Sequence, residues 1–208
     1  MNKEESSIAL YVHIPFCVQK CAYCDFCSFV PKGDEMSIYI DSLLKEIKLA
    51  AKIKKPVFSI YIGGGTPSVL LDGAITRIMQ SIKQNFVLKP NASVTIEANP
   101  NSFTKEKALE YRANGINRIS FGLQSASPTI LKVLNRAHDL DEAIKAVFIA
   151  KSMGLDDINV DIMLGVPTQK LVDVASTLSK VIALPITHVS AYGLILEEET
   201  PLFHKVKS

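Results

Sequence analysis

Two hydrophobic rhythms take turns along this chain. Short apolar, β-branched runs at residues 8–14, 57–62, 94–98, 118–123, 158–164 and 188–196 read as strands. Between them, at 35–53, 69–86, 105–113, 140–153 and 168–183, apolar positions recur with the period of a helix. The boundaries carry matching punctuation. Gly115 and Gly154 stand where left-handed caps end helices, and Pro56 and Pro185 follow segments that must stop.

Strands that alternate with helices pair in parallel through right-handed crossovers. Six such runs predict an α/β fold, a partial (β/α)6 barrel rather than a closed eight-stranded one. A flavodoxin-like or Rossmann-like open sheet fits the same pattern. A chain of 208 residues without a Pro-, Gly- or Ser-rich linker is expected to form a single domain, 1–208. In either arrangement, chemistry gathers at the C-terminal ends of the strands.

Composition narrows the function classes. The net charge of +2, with lysines scattered along the chain, argues against nucleic acid as a partner. Mean hydropathy of +0.20 comes without an apolar run of transmembrane length. The start Met1-Asn2-Lys3-Glu4-Glu5 lacks the basic and apolar regions of an export signal. The expected location is therefore cytoplasmic, a reducing setting in which clustered cysteines point to metal or redox chemistry rather than disulfides.

That cluster follows the first strand: His13-Ile14-Pro15-Phe16-Cys17-Val18-Gln19-Lys20-Cys21-Ala22-Tyr23-Cys24-Asp25-Phe26-Cys27. Iron–sulfur clusters are usually held by four thiolates. Three, spaced CX3CX2C at Cys17, Cys21 and Cys24, can hold three irons of a cubane and leave the fourth open for chemistry. Zinc is the alternative, with Cys27 completing a closed tetrahedron, although zinc modules tend to split their ligands into two separated pairs. Cys27 lies outside the three-ligand spacing and reads as a buried or incidental thiol.

Polar residues at the other strand ends extend the pattern. Gly63-Gly64-Gly65-Thr66-Pro67 follows the second strand, either as a tight turn or as a bare backbone offering N–H groups to a charged ligand. It lacks the spacing of a phosphate loop. Glu97 ends the third strand and Gln124 the fourth, while Asp161 lies within the fifth. A carboxylate inside an apolar parallel strand needs a partner or a water-lined site, so Asp161 marks either a functional lumen or an ion pair with Arg118 or Arg136.

Taken together these strings resemble the radical S-adenosylmethionine (SAM) superfamily, in the branch of oxygen-independent coproporphyrinogen III oxidase and the heme chaperone HemW. The carrying runs are Tyr11-Val12-His13-Ile14-Pro15-Phe16-Cys17, residues 63–68, 96–100 and 117–125, Leu134-Asn135-Arg136-Ala137-His138, and residues 159–167 and 188–201. The oxidase has a long arm before its first strand and a fourth cysteine two positions after the third. Here about ten residues precede that strand and the cysteine position is Phe26, so the chaperone side fits better.

The resemblance implies a [4Fe-4S] cluster on Cys17, Cys21 and Cys24, whose open iron is chelated by SAM and whose electron splits SAM to a 5′-deoxyadenosyl radical. It places Gly64, Gly65 and Thr66 at the methionine end of SAM, Tyr11 and Tyr23 near cluster and SAM, and Glu97, Gln124, Arg136 and Asp161 as SAM contacts. It implies a heme chaperone delivering heme to respiratory proteins, or an oxidase decarboxylating porphyrinogen propionates in porphyrin biosynthesis, or an inactive fragment. Heme would need an axial ligand, for which the histidines are His13, His138, His188 and His204. Relatives continue past the sixth strand, so the expectation is a truncated barrel lacking its last helix and a C-terminal domain. Exposed apolar surface, an open strand edge and self-association should follow.

Overall fold

The computed structural model describes residues 6–207. The acidic stretch 1–5, read above against an export signal, and Ser208 lie outside them. Six strands form one sheet: β1 (Ile8–Ile14), β2 (Val57–Gly64), β3 (Leu88–Ala98), β4 (Arg118–Gln124), β5 (Asp157–Leu164) and β6 (His188–Gly193). Every neighbouring pair is parallel and the strand order follows the sequence from β1 to β6. A doubly wound sheet would reverse its order at a switch point. No reversal occurs among these strands, so the open-sheet alternative falls away and the partial barrel stands.

The helices α1 (Glu35–Ala50), α2 (Ala74–Asn85), α3 (Lys105–Ala113), α4 (Pro128–Val133), α5 (Leu140–Ser152), α6 (Leu171–Ile182) and α7 (Pro201–Lys207) complete the described chain. Local chemistry sets their ends. Asp139 accepts the Glu142 N–H at 2.9 Å while the Glu142 carboxylate accepts the Asp139 N–H at 3.0 Å, a reciprocal cap that starts α5. Helices α3 and α5 are followed by Gly115 and Gly154 at φ +84° and +80°, the left-handed stops foreseen for them.

The core lies on one side of the sheet. Outward residues Val12, Ile14, Ile60, Ile62, Ile96, Phe121, Ile158 and Val160 are buried against Ile40, Leu43, Ile78, Ile82, Tyr111 and Val147 from the helices. Each such side chain contributes about 1.5–3 kcal/mol on burial. Inward residues alternate with these and are mostly polar: Tyr11, His13, Tyr61, Glu97, Ser120, Asn159, Asp161, Ser190 and Tyr192. The lumen of a closed (β/α)8 barrel is filled with branched apolar side chains. This one is lined for contact with a ligand.

Several boundaries differ from the sequence reading. β3 begins at Leu88 rather than at residue 94, because Leu88 already pairs with Val57; the register then shifts past residues 89–92 before Ser93 meets Ser59. α2 begins at Ala74, after a 3-10 turn at Pro67–Val69 and a left-handed Gly73 that the apolar periodicity did not reveal. β6 ends at Gly193, three residues short. α4 and α7 were not foreseen. They span 6 and 7 residues, too short for a periodic signal. α7 follows β6 and seats Leu202 on Ile130, Leu134, Met163 and Val166, forming a small second core.

The far wall is thinly covered. α6 buries Thr177 and Val181, while Leu171, Val172 and Ile182 stand exposed, as does Ile195 after β6. No helix among the described residues is long and apolar enough to cross a membrane.

Candidate functional site

The cysteine loop between β1 and α1 is held at many points. The Cys17 N–H donates to the Phe29 carbonyl at 3.0 Å and the Phe29 N–H to the Pro15 carbonyl at 2.8 Å, pinning the loop's two ends together. The Ala22 N–H donates to the Leu134 carbonyl at 3.0 Å, and Asn135 Nδ2 to the Lys20 carbonyl at 3.1 Å. Asn135 itself sits at φ +54°, a conformation Asn tolerates better than most residues. The Leu202 N–H of α7 donates to the Ala22 carbonyl at 2.8 Å, so the far end of the fold also grips this loop.

Facing the cysteines is the glycine run at the end of β2. Its amides are occupied. Gly64 N–H donates to Glu97 Oε2 at 3.1 Å, and Gly65 and Thr66 N–H donate to the Ile14 and Phe16 carbonyls, each at 2.7 Å. The free N–H groups anticipated from sequence are therefore spent on fixing the backbone. A Cβ at Gly65 would lie 2.7 Å from the Phe16 carbonyl oxygen and 3.0 Å from Cys17 Sγ, so only glycine lets the two loops meet this closely. Thr66 Oγ1 reaches Cys17 Sγ at 3.6 Å.

A half-buried arginine joins the other side. Arg136 Nη1 donates to Cys21 Sγ at 3.3 Å, and Nη2 donates to Asn99 Oδ1 at 2.5 Å and the Gly122 carbonyl at 2.6 Å. Its Nε is buried without a partner. Asn99 in turn donates Nδ2 to Thr66 Oγ1 at 3.2 Å. One amide thus ties the arginine of the α4–α5 connection to the glycine run.

The lumen floor is a hydrogen-bonded polar layer. Asp161 accepts from Ser120 at 3.1 Å and from Asn159 Nδ2 at 2.8 Å, and Ser190 donates to Asn159 Oδ1 at 3.1 Å. Neither Arg118 nor Arg136 pairs with Asp161; Arg118 instead meets Asp157 at 3.5 Å. The ion-pair reading of Asp161 is therefore set aside. Glu97 accepts from Tyr61 at 2.7 Å as well as from Gly64. Burial pushes its carboxyl above the usual range, opposed by those two hydrogen bonds. Gln124 lies at φ +70° where a bulge interrupts the β4–β5 register, and its Oε1 accepts from Tyr192 at 2.8 Å. Burial, then Asp161, pushes the Tyr192 phenol up to about 12.

All the sequence-predicted site residues except Tyr11 border one cleft of about 200 Å³. That set is Cys17, Cys21, Cys24, Tyr23, Gly64, Gly65, Thr66, Glu97, Gln124, Arg136 and Asp161. Tyr11 stands outside it, with its hydroxyl 3.0 Å from His13 Nδ1 and its ring stacked on Tyr61 at 6.2 Å. The sequence reading missed Asn99, Ser120 and Tyr192, which line the cleft. Asn99 lay beside Glu97 at a strand end, a signal that could have found it.

The donor set suits a cluster. Three thiols share one cleft with a guanidinium whose donors can meet anionic sulfur, and the buried orphan Nε marks unspent donor capacity there. Among the described residues no three His, Cys, Asp or Glu side chains gather around one ion-sized point. Burial raises the Cys24 thiol, so a thiolate there forms together with metal binding. Cys27 is exposed rather than buried and stands apart from the cleft; its carbonyl accepts from His13 Nε2 at 2.8 Å. His13 thus has both ring nitrogens engaged. His138 is buried on the Leu123 carbonyl at 3.0 Å, and His188 and His204 are exposed.

Comparison with known proteins supplies the family. The family model for the radical SAM superfamily matches residues 11–181. The heme chaperone HemW of Buchnera aphidicola subsp. Schizaphis graminum is 41% identical over 201 residues, covering 95% of this chain and 53% of that protein. The heme chaperone HemW of Escherichia coli is 39% identical over 196 residues, covering 93% and 52%. The structure of coproporphyrinogen III oxidase (HemN) from Escherichia coli superposes with a TM-score of 0.89 at 29% identity, over 97% of this chain and 47% of that one. The chain spans about half the length of the curated relatives it matches. From β1 into α6 the match is continuous, and the chain belongs to the radical SAM superfamily.

Proposed function

We propose that residues 1–208 are the radical SAM core domain of a HemW-like heme chaperone, holding a [4Fe-4S] cluster and SAM and serving delivery of heme to respiratory proteins from the cytoplasm. The observation that carries this reading is the meeting of three cysteines, the glycine run and the side chains of Glu97, Gln124, Arg136 and Asp161 in one cleft. The HemW relatives at 39–41% identity support the chaperone side of it.

In this reading Cys17, Cys21 and Cys24 hold the cluster, and Arg136 offers Cys21 a donor that stabilises its thiolate. The glycine run, its N–H groups engaged, presents carbonyl oxygens to the SAM ammonium. Glu97 keeps that run in place through Gly64, and Gln124 and Asp161 face the nucleoside end as hydrogen-bonding groups. Tyr23 closes the cysteine side, and Tyr11 acts from behind through Tyr61 and His13. The cofactors, when bound, supply one-electron cleavage of a sulfonium; the protein supplies position and shelter from water. A second reading, an enzyme acting on a porphyrinogen, is favoured by the TM-score of 0.89 with the oxidase.

Anaerobic reconstitution with iron and sulfide, iron counting, and EPR with and without SAM test the core. The reading expects about four irons per chain and a signal that shifts with SAM, both lost in Cys21→Ser. Bound zinc, or a cluster blind to SAM, overturns it. Heme titration against 5′-deoxyadenosine release then separates chaperone from enzyme.

A further inference from the structure

The lysines are scattered in sequence, and the fold gathers six of them. Between Glu46 and Asp72, and again between Asp72 and Glu97, the chain carries no carboxylate. Lys48, Lys52, Lys54, Lys55, Lys83 and Lys89 fall within those two stretches, so against a whole-chain charge of +2 the remainder is net negative. All six are exposed, and none is paired with a carboxylate among the described residues.

The topology places them at one end. α1 and α2 both descend to the N-terminal ends of the strands, where the turns before β2 and β3 lie side by side. There the Val57 N–H donates to the Val87 carbonyl at 2.8 Å, and Lys54, Lys55, Pro56, Phe86 and Val87 border one hollow. Lys89 follows Leu88, the β3 residue paired with Val57, and Lys48 shares a groove with Gln84 of α2. Among these lysines stand large apolar side chains turned to solvent: Leu49 at 61% exposure, Ile53 at 51% and Val87 at 74%.

A basic patch alone attracts any polyanion. Lysines without a carboxylate partner among the described residues, set around bare Leu, Ile and Val, make the composition of a surface that enters the headgroup region of an anionic bilayer, with side-chain stems and apolar groups buried and ammonium groups on phosphate. We infer that this end of the barrel is a peripheral docking surface for an anionic lipid membrane. It lies opposite the cysteine loop, so the docked protein turns its cleft away from the bilayer.

Co-sedimentation of the full chain with phosphatidylcholine vesicles, with and without a quarter of phosphatidylglycerol, tests this. Binding is expected to the anionic vesicles alone and to fall as salt shortens the Debye length. Reversing three charges in Lys52→Glu/Lys54→Glu/Lys55→Glu should weaken it about a hundredfold. The same charge change at the exposed Lys132, Lys145 and Lys180 should leave most of it. Ile53→Ser/Val87→Ser should weaken binding several-fold while keeping its salt slope. Unchanged thermal melts show that each variant is folded. No binding to anionic vesicles, equal binding to neutral ones, or retention in the triple variant overturns the proposal. So does single-stranded RNA binding as tightly as the vesicles with no effect of Ile53 and Val87, which would make the patch a general polyanion site.

Discussion

The two faces of the sheet obey different rules. The outer face is a continuous apolar layer, Ile14, Ile62, Ile96 and Phe121 among others, each nearly inaccessible. The inner face carries hydroxyls, amides and carboxylates that satisfy one another in pairs: Tyr61 with Glu97, Ser120 with Asp161, Tyr192 with Gln124. Stability is supplied from one side, leaving the other free to be shaped by chemistry. Substitutions on the two faces should therefore separate into those that cost folding and those that cost binding.

The largest effect is expected outside. Phe121, edge-on to Phe103 at 5.1 Å, should cost about 3–5 kcal/mol when changed to alanine, measured by urea unfolding. Next comes a buried titration. Burial, then Arg136, lowers the His138 pKa from 6.5 to about 4. Below its unfolded value the unfolded chain takes up a proton that the folded one refuses. Stability is whole above pH 6.5 and should fall by about 3 kcal/mol as the pH drops toward 4. His138→Gln should flatten that slope; a slope unchanged in the variant would assign it elsewhere.

At the junction of the two faces, Gly65→Ala should cost about 1–3 kcal/mol through contact with the Phe16 carbonyl and should sharply reduce iron uptake. The smallest change is inside. Ser190→Ala removes one hydrogen bond to Asn159 and should cost at most about 1 kcal/mol. Beyond the two faces, the exposed Leu171 and Ile182 of α6 predict self-association. Light scattering on Leu171→Ser/Ile182→Ser should show it reduced at unchanged unfolding midpoint.

The same contrast explains what the sequence made legible. Ile8–Ile14 was bounded correctly because it is an apolar, β-branched run, and Lys105–Ala113 because Thr104 caps its start and Gly115 follows its end. The cysteines, the glycine run and Glu97 announced themselves as polar interruptions at strand ends. Gln124 did so too, yet its left-handed backbone and the bulge beneath it come from β4–β5 register, which no single string encodes. Asn99 matters because three distant segments converge on its amide. Tyr11 sits outside the cleft for a similar reason: its neighbours across the ladder, not its distance from Cys17 along the chain, decide where its ring lies.

Among the described residues the strand order ends with β1 and β6, each bonded on one side only. A wall closed into a ring fixes its circumference, and widening it breaks ladder hydrogen bonds. A wall with a seam can flex its two margins apart at the expense of side-chain contacts and, here, of the backbone hydrogen bond from Leu202 to the Ala22 carbonyl. How far the two margins can part is then limited by that bond and by the seat of Leu202 on Ile130, Leu134, Met163 and Val166.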